Sequence, residues 1–198
     1  MPNWCENRIS ISGNAKNVER VFESVGCKFV NGKIVTEKEI TMRSFFPMPQ
    51  TFLDFDTTNR KLRKEEFESI EDYNKYSDGY DNAVKYQKEV YGCVGWYDYN
   101  LKTLGVKWDA NFEGICSCRS GEILCVSFDM DTAWDAPIEW VREMSRKFKD
   151  VKIELDGEEY QNCFGRHILC LNGEDLEFEN FDIELDEVED LEFDEDLE

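Results

Sequence analysis

Arg8-Ile9-Ser10-Ile11-Ser12-Gly13, followed directly by Asn14-Ala15-Lys16-Asn17-Val18-Glu19-Arg20-Val21-Phe22-Glu23-Ser24-Val25-Gly26, carries two hydrophobic periods in one short stretch. The first part alternates with period two and stops at a glycine, which predicts a strand ending in a turn. In the second, Asn14 is placed to cap a helix, Val18, Val21, Phe22 and Val25 recur at spacings of three and four, and Gly26 ends the pattern. The same succession returns near the other end of the chain. Residues 113–119 and 122–130 read as strands joined by Ser120-Gly121, the second expected to be buried on both faces. Asp135 or Ala136 then opens a helix with Pro137 early and Ile138, Val141, Met144, Ser145 and Phe148 inward, and residues 151–155 form the next strand. Setting aside residues 50–105 leaves strand, helix, strands, helix, strand. That order predicts an α+β ferredoxin-like sandwich, an antiparallel sheet with two helices on one face.

The intervening sequence is punctuated. Residues 27–30 and 33–35 flank Asn31-Gly32, a hairpin signal, residues 39–46 read as a strand, and Pro47-Met48-Pro49 marks a boundary. Residues 62–91 have helical spacing in two segments separated by Ser77-Asp78-Gly79, residues 96–104 form a short helix, and residues 106–110 open a strand. Asp156-Gly157 is expected to be a hairpin turn, with residues 166–171 a further strand before Asn172-Gly173. The expected organisation is a domain over residues 1–173 with a helical insertion at about 50–105, and an acidic tail over 174–198.

Charge separates the two parts. The chain has 44 acids and 23 bases, and residues 174–198 contain 15 of those acids with no Lys or Arg, leaving 29 acids against 23 bases in the remainder. An anionic segment is repelled by phosphate and anionic lipid and drawn to basic surfaces, so direct nucleic-acid and membrane binding are not expected. No run of about 18 apolar residues occurs, and the opening Met1-Pro2-Asn3-Trp4-Cys5-Glu6-Asn7-Arg8 has no apolar export signal. A cytoplasmic protein is expected, with its eight cysteines as reduced thiols.

Pro2-Asn3-Trp4-Cys5-Glu6-Asn7, Phe46-Pro47-Met48-Pro49, Trp96-Tyr97-Asp98-Tyr99, Gly105-Val106-Lys107-Trp108-Asp109 and Thr132-Ala133-Trp134-Asp135-Ala136-Pro137 span positions 2 to 137. Together they resemble the YubB-like ferredoxin-like domain family, found largely in phages and plasmids. The resemblance implies a fold and a mobile-element origin more than an activity. Many members finish with a plain strand near Tyr160, where this chain has the segment from Cys163 to Cys170 and the acidic extension.

Four groups of residues are candidates for function. In the tail, acids alternate with apolar residues, and Phe178, Phe181, Asp182, Ile183, Glu184, Leu185, Asp186 and Glu187 are expected to dock on a partner, apolar anchors settling while carboxylates occupy phosphate sites. Trp4, Trp96, Trp108, Asp109 and Trp134 are the alternative, a small-ligand-binding module, or a metal-binding one built on the neighbouring aspartates or on the Cys and His residues, although core packing is the expected role of these tryptophans. Asp98, Asp129, Asp131 and Asp135 lie beside the same landmarks and read as solvated loop carboxylates. Cys116, Cys118, Cys163, His167 and Cys170 contain the ligand types zinc prefers, without a standard zinc spacing, so no metal or other cofactor is expected. His167 is the sole histidine and no nucleophile motif accompanies it, which argues against an enzyme. The expected function is a non-enzymatic phage or plasmid protein that blocks a basic, nucleic-acid-handling host protein. An anti-CRISPR or anti-restriction inhibitor acting by nucleic-acid mimicry is its concrete form.

Overall fold

The computed structural model describes residues 2–55, 57 and 60–184. Strand β1 (Trp4–Asn14) runs directly into α1 (Ala15–Glu23), and the Asn14 side chain accepts a hydrogen bond from the Lys16 N–H at 3.1 Å, capping the helix as its sequence demands. A hairpin of β2 (Lys28–Val30) and β3 (Lys33–Val35) comes next, then the helices α2 (Met42–Phe45), α3 (Gln50–Asp54), α4 (Ile70–Tyr91) and α5 (Gly95–Leu104). The chain returns through β4 (Glu113–Ser120), β5 (Ile123–Ala133), α6 (Ile138–Lys147), β6 (Val151–Glu159), β7 (Phe164–Leu171) and β8 (Glu174–Asp182).

The main sheet has the order β4-β5-β1-β6-β7-β8, and every neighbouring pair is antiparallel. Its first four strands with α1 and α6 are the ferredoxin-like sandwich, and β7 and β8 widen it at the β6 edge. Cys5, Asn7, Ile9 and Ile11 of β1 are buried while the alternate residues are not, so one face of the sheet meets the helices. Ile9, Ile11, Phe128, Ile153 and Leu155 pack there with Val18, Val21 and Phe22 of α1 and Trp140, Val141 and Met144 of α6. Each such side chain contributes roughly 1.5–3 kcal/mol on burial, so this face holds the fold together.

Several sequence expectations are corrected. Residues 39–46 are not a strand: Thr41 and Ser44 exchange side-chain and backbone hydrogen bonds as a capping box, which starts α2. Residues 106–110 form no strand. Strand β5 is buried on one face only, with Leu124, Val126, Phe128 and Met130 inward and Asp129 exposed. Helix α4 continues through Ser77-Asp78-Gly79, and the glycine there admits the Phe55 ring, since a Cβ would lie 2.7 Å from Cζ. Strand β6 likewise continues through Asp156-Gly157. A Cβ on Gly157 would lie 2.6 Å from Asn7 Oδ1 and 2.8 Å from Ala136 Cβ, so the glycine permits a close approach instead of a turn. The turn falls later, where the buried Glu159 carboxylate accepts from the N–H groups of Gln161 and Asn162 at 2.9 Å each.

The sheet also crosses the expected boundary at Gly173. Asn172 (φ 56°) and Gly173 (φ 86°) both take the positive φ of a primed hairpin turn, and β8 pairs with β7 along its length. Arg142 of α6 fastens it, with Nη2 2.6 Å from Asp175 Oδ2, and the Gly173 N–H donates to Ser145 Oγ at 2.9 Å. Hydrogen bonding to Arg142 holds the Asp175 carboxyl below its ordinary value of 3.8. A depressed carboxyl contributes stability that is complete above its unfolded pKa and is lost as pH falls through the folded one. Both groups are partly solvated, so Asp175→Asn is expected to cost about 0.5–1.5 kcal/mol at pH 7. The loosening of β8 expected of the native chain below about pH 4 should be much reduced in this variant. Amide hydrogen exchange across β8 at pH 7 and pH 3 checks both.

Candidate functional site on the open face of the sheet

Opposite the helices, the sheet face is uncovered. Strand alternation places Trp4, Glu6, Arg8, Ser10 and Ser12 of β1 on this side. The register sets Glu6 between Asp131 of β5 and Glu158 of β6, and Arg8 between Asp129 and Asp156. Together with Asn7 these residues line a cleft of about 450 Å³. It holds five carboxylates and one guanidinium. The Arg8–Asp129 pair is 3.9 Å apart and exposed on both sides, too long and too solvated to neutralise the group. Like charges directly opposite one another destabilise a sheet, and Glu6 faces one on each side.

At the Trp4 end, Asp131 also lines a second cleft of about 260 Å³ with Trp4, Asp109, Ala110, Asn111 and Glu113. Here the expectation of core packing is corrected. Trp4, Trp108 and Trp134 are 49%, 38% and 43% exposed. The rings of Trp108 and Trp134 meet at 5.2 Å, and the Lys107 ammonium lies 4.7 Å and 5.2 Å from their centroids and 5.8 Å from that of Tyr97. Trp134 is held at φ 68° with its N–H donating to Asn3 O at 2.8 Å, which turns its ring outward. Trp96 joins through an edge contact with Tyr97 at 6.0 Å. Asp109 is structural in part: Oδ1 accepts from the Arg43 and Ala110 N–H groups at 3.0 Å each, steadying the start of α2. Asp135 pairs with Arg166 of β7 on the helix side. The tryptophan that fills the core is Trp140, which the spacing of the α6 stripe passes over.

The cysteine and histidine candidates do not converge. Cys116 and Cys118 share the open face of β4, with Cys118 opposite Cys125, whereas His167 is in β7, beyond β5, β1 and β6. At about 4.8 Å per strand that separation is roughly 19 Å. Cys170 is buried on the helix side, its thiol pushed up to about 12 by burial, and Cys163 sits in the β6–β7 turn. His167 instead meets carboxylates. Its Nδ1 is 2.7 Å from Asp156 Oδ1 and its Nε2 is 3.7 Å from Glu177 Oε2, with Glu154 on the same face. Hydrogen bonding to Asp156 raises the imidazole pKa above its ordinary value.

Of the residues expected to dock on a partner, Phe178, Phe181 and Asp182 belong to β8, Ile183 and Glu184 follow it, and Leu185, Asp186 and Glu187 lie outside the described residues. The phenylalanines touch the body yet remain 46% and 37% exposed. Phe178 lies opposite Ile168 with the Arg142 guanidinium 5.2 Å from its ring centroid, and the Phe181 ring occupies the space that a Cβ on Gly165 would need. They point to opposite faces of the strand, so they do not form one apolar strip. The Ile183 N–H donates to Cys163 O at 2.8 Å.

The segment from the end of α5 onward carries β4 to β8 and so builds most of this face. Residues 106–198 match the family model described as the ferredoxin-like domain in Api92-like protein. The match includes the whole acidic segment, which therefore lies within the matched region instead of following it. Among solved structures, the crystal structure of a protein api92 from Yersinia pseudotuberculosis is similar, with 12% identity, 93% of this chain and 100% of that chain covered, and a TM-score of 0.44. No curated protein matches the chain. Among the described residues no helix is long and apolar enough to cross a membrane.

Proposed function

We propose that the chain is a non-enzymatic interaction protein that binds a basic, nucleic-acid-handling protein through the open face of its sheet, placing carboxylates where that partner holds phosphates. The observation that carries this reading is the like-charge register of Glu6 with Asp131 and Glu158. Such pairs lower the stability of the free protein and favour a cationic surface that relieves them. The acidic residues of β8 and beyond extend the same potential. The resemblance to phage and plasmid proteins gives the reading its concrete form, a mobile-element inhibitor of a CRISPR effector or restriction system acting in the host cytoplasm.

Neutralising the cleft tests it. Glu6→Gln, Asp129→Asn, Asp131→Asn and Glu158→Gln together should weaken partner binding by about 100-fold, at roughly 0.7 kcal/mol for each charge. Native affinity should fall with added salt, and duplex DNA should compete. Affinity unchanged in the folded quadruple variant would refute the proposal. Truncation after Glu184 is the companion experiment, because deletion from Gly173 would also remove β8 and uncover the edge of β7.

A second reading rests on the exposed Trp108–Trp134 pair, a platform for a planar ligand that displaces the Lys107 ammonium. A metabolite retained in native mass spectrometry and lost in Trp108→Ala would favour it over the first.

A further inference from the structure

We infer that Glu154, Asp156 and His167 form a binding site for a first-row divalent metal ion, zinc in the first instance. The site shares Asp156 with the acidic cleft but does not rest on the partner reading, since its residues suffice to hold an ion whether or not a protein docks beside them. Asp156 and His167 are register partners on β6 and β7, and Glu154 is two residues along β6 on the same face. One ligand atom from each lies within 4.8 Å of the others, the one such grouping among the described residues. In a shell with bonds of about 2.0–2.2 Å, neighbouring ligand atoms are roughly 3–3.5 Å apart, so small side-chain rotations close the triangle.

The pair of His167 Nδ1 and Asp156 Oδ1, at 2.7 Å, already has nearly that separation. A cation would take the place of the proton now held between them. Nε2 then keeps its N–H toward Glu177 Oε2, 3.7 Å away on β8, the carboxylate–histidine–metal arrangement that orients a metal-bound imidazole. The Ser10 hydroxyl donates to Glu154 Oε2 at 3.4 Å and so positions the third ligand from β1. Four strands thus converge on one point. One imidazole with two carboxylates suits zinc and its first-row neighbours better than magnesium, which takes oxygen ligands and retains its water.

The test uses the full chain stripped with a chelator. Isothermal titration should show one zinc ion per chain and no binding of magnesium, and cobalt(II) should give visible absorption bands characteristic of a low-coordinate nitrogen–oxygen site. His167→Gln should weaken zinc by at least about 100-fold, since the loss of a direct ligand exceeds the 10- to 100-fold typical of an outer-shell partner. Ser10→Ala should weaken it by about tenfold at most. Replacing Cys116, Cys118 and Cys125 with serine should leave zinc binding intact. Zinc affinity unchanged by His167→Gln, or abolished by the cysteine replacements, would overturn the assignment, as would the absence of zinc binding at micromolar concentrations.

Discussion

Trp140→Ala is expected to destabilise the protein by about 3–5 kcal/mol, the range for emptying the space of a large buried aromatic. The indole has no exposed surface. It meets the edges of Phe45 and Phe112 at centroid distances of 6.0 Å and 5.7 Å, and its N–H donates to Met42 O at 3.3 Å. Phe45 and Met42 belong to α2, so this side chain joins the segment between the β2–β3 hairpin and the helical insertion to the sandwich. The loss should lower Tm by about 10 °C for a chain of this size, at roughly 2–4 °C per kcal/mol. Trp140→Phe keeps most of the apolar volume and should cost about half as much, the rest reflecting the unpaired Met42 carbonyl and the smaller ring. Chemical denaturation of the three proteins measures the series. A deficit below about 1 kcal/mol for Trp140→Ala would mean that α2 does not rest on α6 as described.

The elements that form the sandwich are legible because each repeats one hydrophobic period without interruption. Ile9 and Ile11 alternate, Val18, Val21 and Phe22 recur helically, and both patterns end where capping residues stand. Where reading fails, a local signal is overruled by a neighbour distant in sequence. Asp156-Gly157 has the composition of a hairpin turn, yet its glycine is present because Asn7 and Ala136 leave no room for a Cβ. Gly79 reads as a break and instead admits the Phe55 ring. Strand β8 was within reach. Asn172-Gly173 after an alternating segment is the hairpin signal that reads correctly at Asn31-Gly32, but the density of carboxylates after it suggests a solvated tail. What reconciles strand and charge is Arg142, and its meeting with Asp175 becomes visible only once α6 lies across the sheet.

The open face was legible residue by residue and not as a face. Asp129 and Asp131 look like loop carboxylates beside aromatic landmarks, and Glu6 is inconspicuous. Their assembly depends on the register of β1 against two strands more than 100 residues away, which no local pattern encodes. The tryptophans show the converse problem. Aromatic residues usually fill cores, but Trp4 points outward by strand alternation, and Trp134 does so through a positive φ that the sequence does not announce. Likewise ligand type alone groups His167 with the cysteines, whereas pairing across β6 and β7 gives it carboxylates.

Asn7→Asp should be among the most damaging single-atom changes available in this chain, costing about 3–5 kcal/mol at pH 7 as an uncompensated buried charge. Asn7 is buried, and the two N–H groups of its Nδ2 are shared among Cys5 O at 2.8 Å, Met130 O at 3.0 Å and Thr132 Oγ1 at 2.8 Å. A carboxylate there would turn an oxygen toward three oxygens. The Thr132 hydroxyl cannot reverse its role, because its own proton goes to Asp135 O at 2.6 Å. The Cys5 thiol, pushed up to about 12 chiefly by burial, stays protonated but reaches only the other oxygen, at 3.6 Å. The Gly157 backbone approaches so closely that a Cβ there would lie 2.6 Å from Asn7 Oδ1, which leaves the side chain little room to move away. Burial would raise the new carboxyl's folded pKa above its unfolded value of about 3.9, so the folded state would bind the extra proton and stability would fall as pH rises. Once protonated, the acid recovers one O–H donor. The deficit should therefore be smallest below about pH 4, grow through the raised folded pKa, and be greatest near neutrality. Asn7→Ala, which removes the donors without adding a charge, should cost about 2–3 kcal/mol and add no pH dependence of its own. Urea denaturation of both variants at pH 7 and pH 5 separates the two effects; equal, pH-independent losses would show that Asn7 does not donate to the three oxygens assigned to it.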